Sequence, residues 1–222
     1  MKILPIGVRG SYPMPSQATS CYLVSSDGAD VVLDLGSGAL IGLTNHIDIS
    51  AVSAFVITHL HYDHCADALA LAHFPGTRTI YSPSSPSERF SLLKNRRNFD
   101  VRFLAQGLDF RIGGTEFSFF RTEHSPECYG VRAADKSGVF VYTADTAWFD
   151  RLPEVCEGAD VVFADCAGFG KPHMTPADGA KLKKLTGADV YATHFMPGID
   201  LKAVAAAGLK LAEAGTPVYI RR

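Results

Sequence analysis

The chain has 222 residues, of which 47% are hydrophobic and 20% charged, and its formal net charge is −2. That length suits one well-buried domain over residues 1–222, not two. So small a net charge sets up no global field toward nucleic acid or a membrane surface.

No stretch is apolar for long enough to span a bilayer, and Met1–Gly7 lacks the apolar core of a signal peptide, so the expectation is a cytoplasmic protein with no membrane partner. The five cysteines (Cys21, Cys65, Cys128, Cys156, Cys166) are scattered without a Cys-x-x-Cys pair and read as reduced, buried thiols.

Taken in chain order, strand-like runs fall at Lys2–Ile6, Thr19–Ser25 and Asp30–Leu35, separated by Gly, Ser and Asp turn residues. A further strand, Val52–Thr58, is followed by a helix from about Asp63 to Ala72. Next come a short strand at Arg78–Tyr81, a Ser/Pro turn at Ser82–Ser87, and a helix at Glu88–Arg97 capped by Ser85 or Ser87. Strands then dominate: Val101–Ala105, Leu108–Ile112, Thr115–Thr122, Cys128–Ala133 and Gly138–Thr143. The last third alternates, with strand Asp160–Asp165 and helix Thr175–Leu185, capped by Thr175 with Pro176 at its first position. Strand Asp189–Thr193, helix Leu201–Ala214 and strand Pro217–Ile220 follow. Strand-rich blocks each followed by helices predict two sheets packed face to face with helices outside, an α/β architecture.

His59, His61, Asp63 and His64 fall in one short run directly after an apolar strand. Three imidazoles and a carboxylate so close repel when protonated and cost free energy when buried unpaired. A divalent metal removes both problems by taking neutral imidazole nitrogen and carboxylate oxygen as ligands. One loop cannot surround an ion, so further ligands are expected at other strand ends. His124, Asp145 and His194 each end a strand. Singly, each reads as a turn or capping residue. Together they do not.

This pattern resembles the metallo-β-lactamase fold superfamily. Its His-x-His-x-Asp-His signature matches His59, His61, Asp63 and His64 without a gap, and its later motifs match His124, Asp145 and His194. An earlier Asp/Gly motif matches Asp34 and Gly36 in Val32–Gly36. The resemblance implies a four-layer αββα sandwich and a hydrolase with two divalent metal ions at one edge. His59, His61 and His124 would hold one ion, Asp63, His64 and His194 the other, and Asp145 would bridge them. Asp63 would also orient the attacking water. Asp34 would orient a ligand imidazole through its second ring nitrogen, its alternative role being a turn cap. Zinc is favoured because imidazole outnumbers carboxylate, while manganese or iron fit the same ligands.

The segment from Asp165-Cys166 to His173-Met174-Thr175 is similar to the phosphodiesterase-like branch that includes ribonuclease Z. By that likeness His173 faces the metals and assists at the leaving group, as a catalytic residue beside Asp63. Asp165 stands where the branch more often has Glu. The opening Gly7–Pro13 hairpin is also similar and makes Arg9 a candidate substrate contact. No tRNA-gripping arm is present, so tRNA is not the expected substrate. A small phosphodiester is, either a cyclic nucleotide or a short oligonucleotide. The cations Arg89, Lys94, Arg96, Arg97 and Arg102 surround one predicted helix, with Arg96 and Arg97 as candidate contacts. Their alternative is a solvated face balanced by Glu88 and Asp100. A thioester, lactone or β-lactam hydrolase would use the same metals, and a sensor or scaffold without turnover is the remaining class. A homodimer is implied by the resemblance only.

Overall fold

The computed structural model describes residues 1–84 and 87–221. Strands β1 (Lys2–Arg9), β2 (Ala18–Thr19), β3 (Cys21–Ser26) and β4 (Ala29–Leu33) precede helix α1 (Ala39–Thr44). Strand β5 (Ala54–Val56) leads to helix α2 (Tyr62–Cys65), which tightens into 3-10 turns over Ala66–His73. Then come β6 (Arg78–Ser82), α3 (Glu88–Lys94), β7 (Phe99–Phe103), β8 (Asp109–Ile112), β9 (Thr115–Arg121), β10 (Tyr129–Asp135) and β11 (Gly138–Tyr142). The chain closes with α4 (Leu152–Val155), β12 (Val161–Asp165), α5 (Pro176–Thr186), β13 (Asp189–Thr193), α6 (Leu201–Ala206), β14 (Lys210–Leu211) and β15 (Val218–Tyr219).

Two sheets result, ordered β15-β1-β3-β4-β5-β6-β7, with β2 beside β1, and β14-β13-β12-β11-β10-β9-β8. Each begins with antiparallel strands and continues in parallel ones, β4 through β7 and β11 through β14. Alternation along the strands builds the layers. Val31, Leu33, Ala54 and Val56 enter the core between the sheets, whereas Val32 and Phe55 face outward into a second core under α1, α3 and the 3-10 turns. Across the first interface Tyr22 meets Phe163 and Tyr142, at ring separations of 5.7 and 4.7 Å. Burying each such ring stabilises the fold by about 1.5–3 kcal/mol. On the far side, Leu182 of α5 and Val204 of α6 pack onto the second sheet. This is the αββα sandwich expected from the sequence.

Several elements depart from expectation. The helix read as Leu201–Ala214 stops at Ala206, because Gly208 turns through a left-handed conformation (φ 81°) and Lys210 pairs with Tyr191 as β14. The alanine-rich run hid that glycine stop. The run Thr19–Ser25 splits at Ser20 into β2 and β3, and β7 begins two residues earlier than read. Only Tyr62–Cys65 of the helix read over 63–72 is α-helical. Helices α1 and α4 are too short to show a sequence period. Ser87 caps α3 by accepting from the Phe90 N–H, and Ser85 lies outside the described residues. The α5 start is as read: Thr175 and Asp178 form a reciprocal capping box and Pro176 follows.

The parallel strands bring β4, β5, β11, β12 and β13 to carboxyl ends on one edge. Two side-chain hydrogen bonds help tie the sheets together there, Tyr22 Oη with Thr193 Oγ1 (2.6 Å) and Tyr142 Oη to Asp34 Oδ2 (3.0 Å). Neither was legible in the sequence.

Candidate metal centre

Past β5 the chain bends at His59 and is extended again at His61, and the two rings come together with centroids 4.8 Å apart. Leu60 between them turns into the outer core. The first turn of α2 then swings Asp63 and His64 toward the same point. Three other strand ends turn sharply through left-handed residues: Asp34 (φ 59°), Ala144 (φ 51°) just before Asp145, and His194 (φ 57°). Each such non-glycine residue costs on the order of 1–2 kcal/mol, strain of the kind that clusters at functional sites. Gly36 is required by closeness: a Cβ there would stand 2.0 Å from the Asp63 carbonyl oxygen.

The side chains converge in overlapping groups whose ligand atoms lie within 4.8 Å of one another: His59, His61, His124 and Asp145; Asp63, His64 and His194; and Asp145, Asp165, His173 and His194. Asp145 stands between the first two. Its Oδ2 lies 3.6 Å from His59 Nε2 and 3.8 Å from His124 Nε2. Its Oδ1 lies 3.1 Å from His64 Nε2 and 3.5 Å from His194 Nε2, neither in hydrogen-bonding direction.

Neighbouring groups select the nitrogen each imidazole points inward. Thr58 Oγ1 gives its proton to Asp34 and so accepts from His59 Nδ1–H at 3.2 Å, leaving Nε2 bare. His64 Nδ1–H donates to Asp34 Oδ2 at 2.7 Å. Asp34 also accepts from the Thr58 N–H (2.8 Å) and from Tyr142, so it is fully held. His194 presents Nδ1 toward Asp165 Oδ1 (3.4 Å) and Nε2 toward Asp63 Oδ2 (3.1 Å). Asp63 Oδ2 is anchored by the Ser11 N–H at 2.7 Å.

The residues present fit a cation. In the first group, His61 Nδ1 faces His59 Nε2 at 3.1 Å and His124 Nε2 at 3.2 Å, nitrogen against nitrogen, with at most one proton between each pair. Buried His124 Nδ1, Asp145 Oδ1, Asp165 Oδ1 and His194 Nδ1 have no hydrogen-bond partner. Of these, the Asp145 oxygen lies between the two imidazole groups, and a buried carboxylate lone pair is costly unless something positive accepts it. The clusters are able to bind metal.

Charge differs across the centre. Burial, with neighbouring imidazoles, holds His59, His61 and His124 below the ordinary histidine value. Burial pulls His64 the same way, but Asp145, Asp34 and Asp63 outweigh it and raise its pKa. Against its burial, His194 is likewise pushed up to about 10 by Asp145 and Asp165. Despite burial, Asp63 and Asp145 are held well below the usual carboxylate range by the surrounding imidazoles.

His173, the last of the third group, gives Nδ1–H to Asp165 Oδ2 at 2.7 Å. Its side chain keeps 12% exposure at the rim, while Asp165 is buried and held by the Thr146 N–H at 2.9 Å. Burial would lower the His173 pKa, but Asp165 raises it.

Arg9 lies beside Phe195, one residue past His194, with a buried Nε that has no hydrogen-bond partner. Arg96 and Arg97 are not brought to the centre. They are exposed in the turn after α3, about 10 Å along the helix from Arg89. Arg89 is the cation of that cluster that reaches the site: it donates to the Leu60 carbonyl and covers the Tyr62 ring at 4.0 Å. The signal that could have singled it out is its place in the first turn of α3, next to the capping serine. On the other side of the centre, a cleft of about 470 Å³ lies against His124, with Arg121 and Lys171 on its walls.

Residues 32–195, which include every residue of the three converging groups, match the beta-lactamase superfamily domain. The chain belongs to that superfamily. The probable metallo-hydrolase YhfI of Bacillus subtilis is 28% identical over 212 residues, covering 88% of this chain and 87% of YhfI. The crystal structure of YhfI superposes with a TM-score of 0.91 at 24% identity, covering 98% of each chain. A diphosphatase of the PhnP family superposes at 0.83 (19% identity; 98% and 97% covered), and the short form of human tRNase Z at 0.80 (19%; 100% of each). The last two likenesses speak for the fold. The chain is thus a member of that superfamily, related in sequence to a protein named as a probable metallo-hydrolase.

Proposed function

We propose that this chain is a two-metal phosphodiesterase acting on a small phosphodiester, a cyclic nucleotide or short oligonucleotide. His59, His61 and His124 would hold one divalent cation, Asp63, His64 and His194 the other, and the two oxygens of Asp145 would face one each. Zinc suits so imidazole-rich a set best, with manganese or iron compatible. Cations bound there supply Lewis acidity and a water acidic enough to attack near neutral pH.

The observation that carries the phosphodiester reading is His173. It lies at the rim of the centre outside the two proposed ligand sets, with one nitrogen tied to Asp165 and the other left for substrate. Asp165 raises the His173 pKa against the pull of burial, the direction that favours the protonated form a proton donor to a leaving oxygen needs. The anchored Asp63 carboxylate is in place to orient the attacking water. As the water oxygen bonds to phosphorus and gives up a proton to solvent, the ester bond on the opposite side would break and its oxygen take the His173 proton, which solvent then replaces. Asp165 stabilises the imidazolium beforehand and holds the ring at the required angle. A tRNase Z and a diphosphatase, by their names, point to chemistry at phosphorus in proteins of the same fold.

The test is turnover of bis-p-nitrophenyl phosphate by zinc- or manganese-loaded protein. His173→Ala should lower turnover about a hundredfold or more while metal content stays the same. Loss of metal in parallel with activity would make His173 a ligand instead and remove the acid role.

A further inference from the structure

Three loops that carry or touch site residues also carry exposed aromatic side chains: Tyr12 beside Ser11, Tyr62 between His61 and Asp63, and Phe169 in the loop before His173. Large rings left in water next to site residues in the chain call for an explanation. Tyr62 is the best defined. It is 63% exposed, yet its ring is held because Arg89 stacks on it at 4.0 Å while donating to the Leu60 carbonyl.

Two clefts flank this pair. One, of about 190 Å³, is walled by Leu60, Tyr62, Ser87, Glu88, Arg89 and Pro126, hence by both loops that bear His59, His61 and His124. The other, of about 260 Å³, runs between Tyr62 and the apolar side chains Cys65, Leu69, Leu92 and Leu93. The guanidinium is already engaged by the ring and the carbonyl, and the other charge present, Glu88, is negative. The two charges offset each other, and most of the remaining lining is apolar or neutral. A flat, uncharged ring suits such walls.

We propose that Tyr62, stiffened by Arg89, is the stacking platform for the nucleobase of the substrate, and so determines specificity for nucleotides over other phosphate esters. The proposal rests on the phosphodiesterase reading for its setting, but it concerns binding and can fail separately. A base stacks on an aromatic face with little regard to its sequence identity, and such a contact is worth about tenfold or more in affinity, about 1.4 kcal/mol per tenfold.

The experiment is calorimetric binding of AMP and of ribose 5-phosphate to the zinc-loaded protein, in the parent and in Tyr62→Ala and Tyr62→Phe. Both ligands carry the same phosphate and sugar, and only AMP has a base. The parent should prefer AMP by at least about tenfold. Tyr62→Ala should erase that preference, and Tyr62→Phe should restore it. A parent that binds both ligands equally overturns the proposal, as does a preference that survives in Tyr62→Ala. A Tyr62→Ala protein that changes its association state in sedimentation but keeps the preference assigns the ring to contact between copies and also overturns it. Failure of the parent to hydrolyse any phosphodiester would sink the catalytic reading alone, because product binding is read without turnover.

Discussion

His59, His61 and His124 face one another with no carboxylate behind any of them, whereas His64 and His194 are backed by Asp34 and Asp165. The first set is therefore three neutral imidazoles pressed nitrogen to nitrogen. The second is two protonated imidazoles among acids. Without a cation the first has facing lone pairs with too few protons to share, whereas in the second imidazoles and acids offset one another's charge. The difference teaches that the groups behind each imidazole set which protons a cation bound there would have to displace.

The largest effect tests the residue common to both halves. Asp145→Asn removes the charge facing each set, and activity should fall about a thousandfold, with less than one metal retained per chain by elemental analysis. A variant that keeps two metals would show that the halves are independent. Next, Asp34→Asn should weaken the second set about 10–100-fold in metal affinity, because His64 loses the carboxylate that orients it. The first set, read by competition with a chromophoric chelator, should change far less. Equal weakening of both would break the comparison.

Proton release follows. His64 and His194 have raised pKa values, so a cation must displace their protons, and affinity at the second set should climb as pH rises from the ordinary imidazole value near 6.5 to about 10. Imidazoles with lowered values are already neutral there, so the first set should release none at about pH 7. Stability obeys the matching sign. A pKa raised by folding stabilises fully below the unfolded value and loses that stabilisation as pH passes the folded one. Metal-free protein should thus melt lower at about pH 10 than at about pH 7, and added zinc should narrow the gap. Equal proton release from both metals, followed in a weakly buffered calorimeter, would contradict the assignment. The smallest effect is Thr58→Ala. It removes a hydroxyl that joins Asp34 to His59, and should cost about 1 kcal/mol in chemical denaturation.

Much of this centre was legible because its ligand types are rare in strands and fall at strand ends. The cluster at His59–His64 and the lone His124, Asp145 and His194 could be singled out before any coordinates and grouped by the family resemblance, whereas the contact of His173 with Asp165 came only from the structure. Arg96 and Arg97 went astray because charge density along a helix says nothing about which turn faces a neighbour. Arg89 reaches the site loop only because α3 lies over α2. Tyr142 and Tyr22 looked like ordinary strand residues, since their hydroxyl partners Asp34 and Thr193 belong to the opposite sheet. Ser11 carries no side-chain signal at all, as it serves through its backbone N–H. Helix α6 was overextended because alanine favours helix wherever a glycine does not intervene.

The sequence by itself determined the residue types that could meet a cation, the order of strands that present them, and the alternation that buries one face of each strand. These are local properties, set by ligand chemistry and a period of two. Only the tertiary structure decided which imidazole nitrogen turns inward, which histidines carry protons, and which arginine and tyrosine stand at the rim. Those outcomes depend on distances of a few ångströms between segments far apart in the chain, where burial and neighbouring charge act through space.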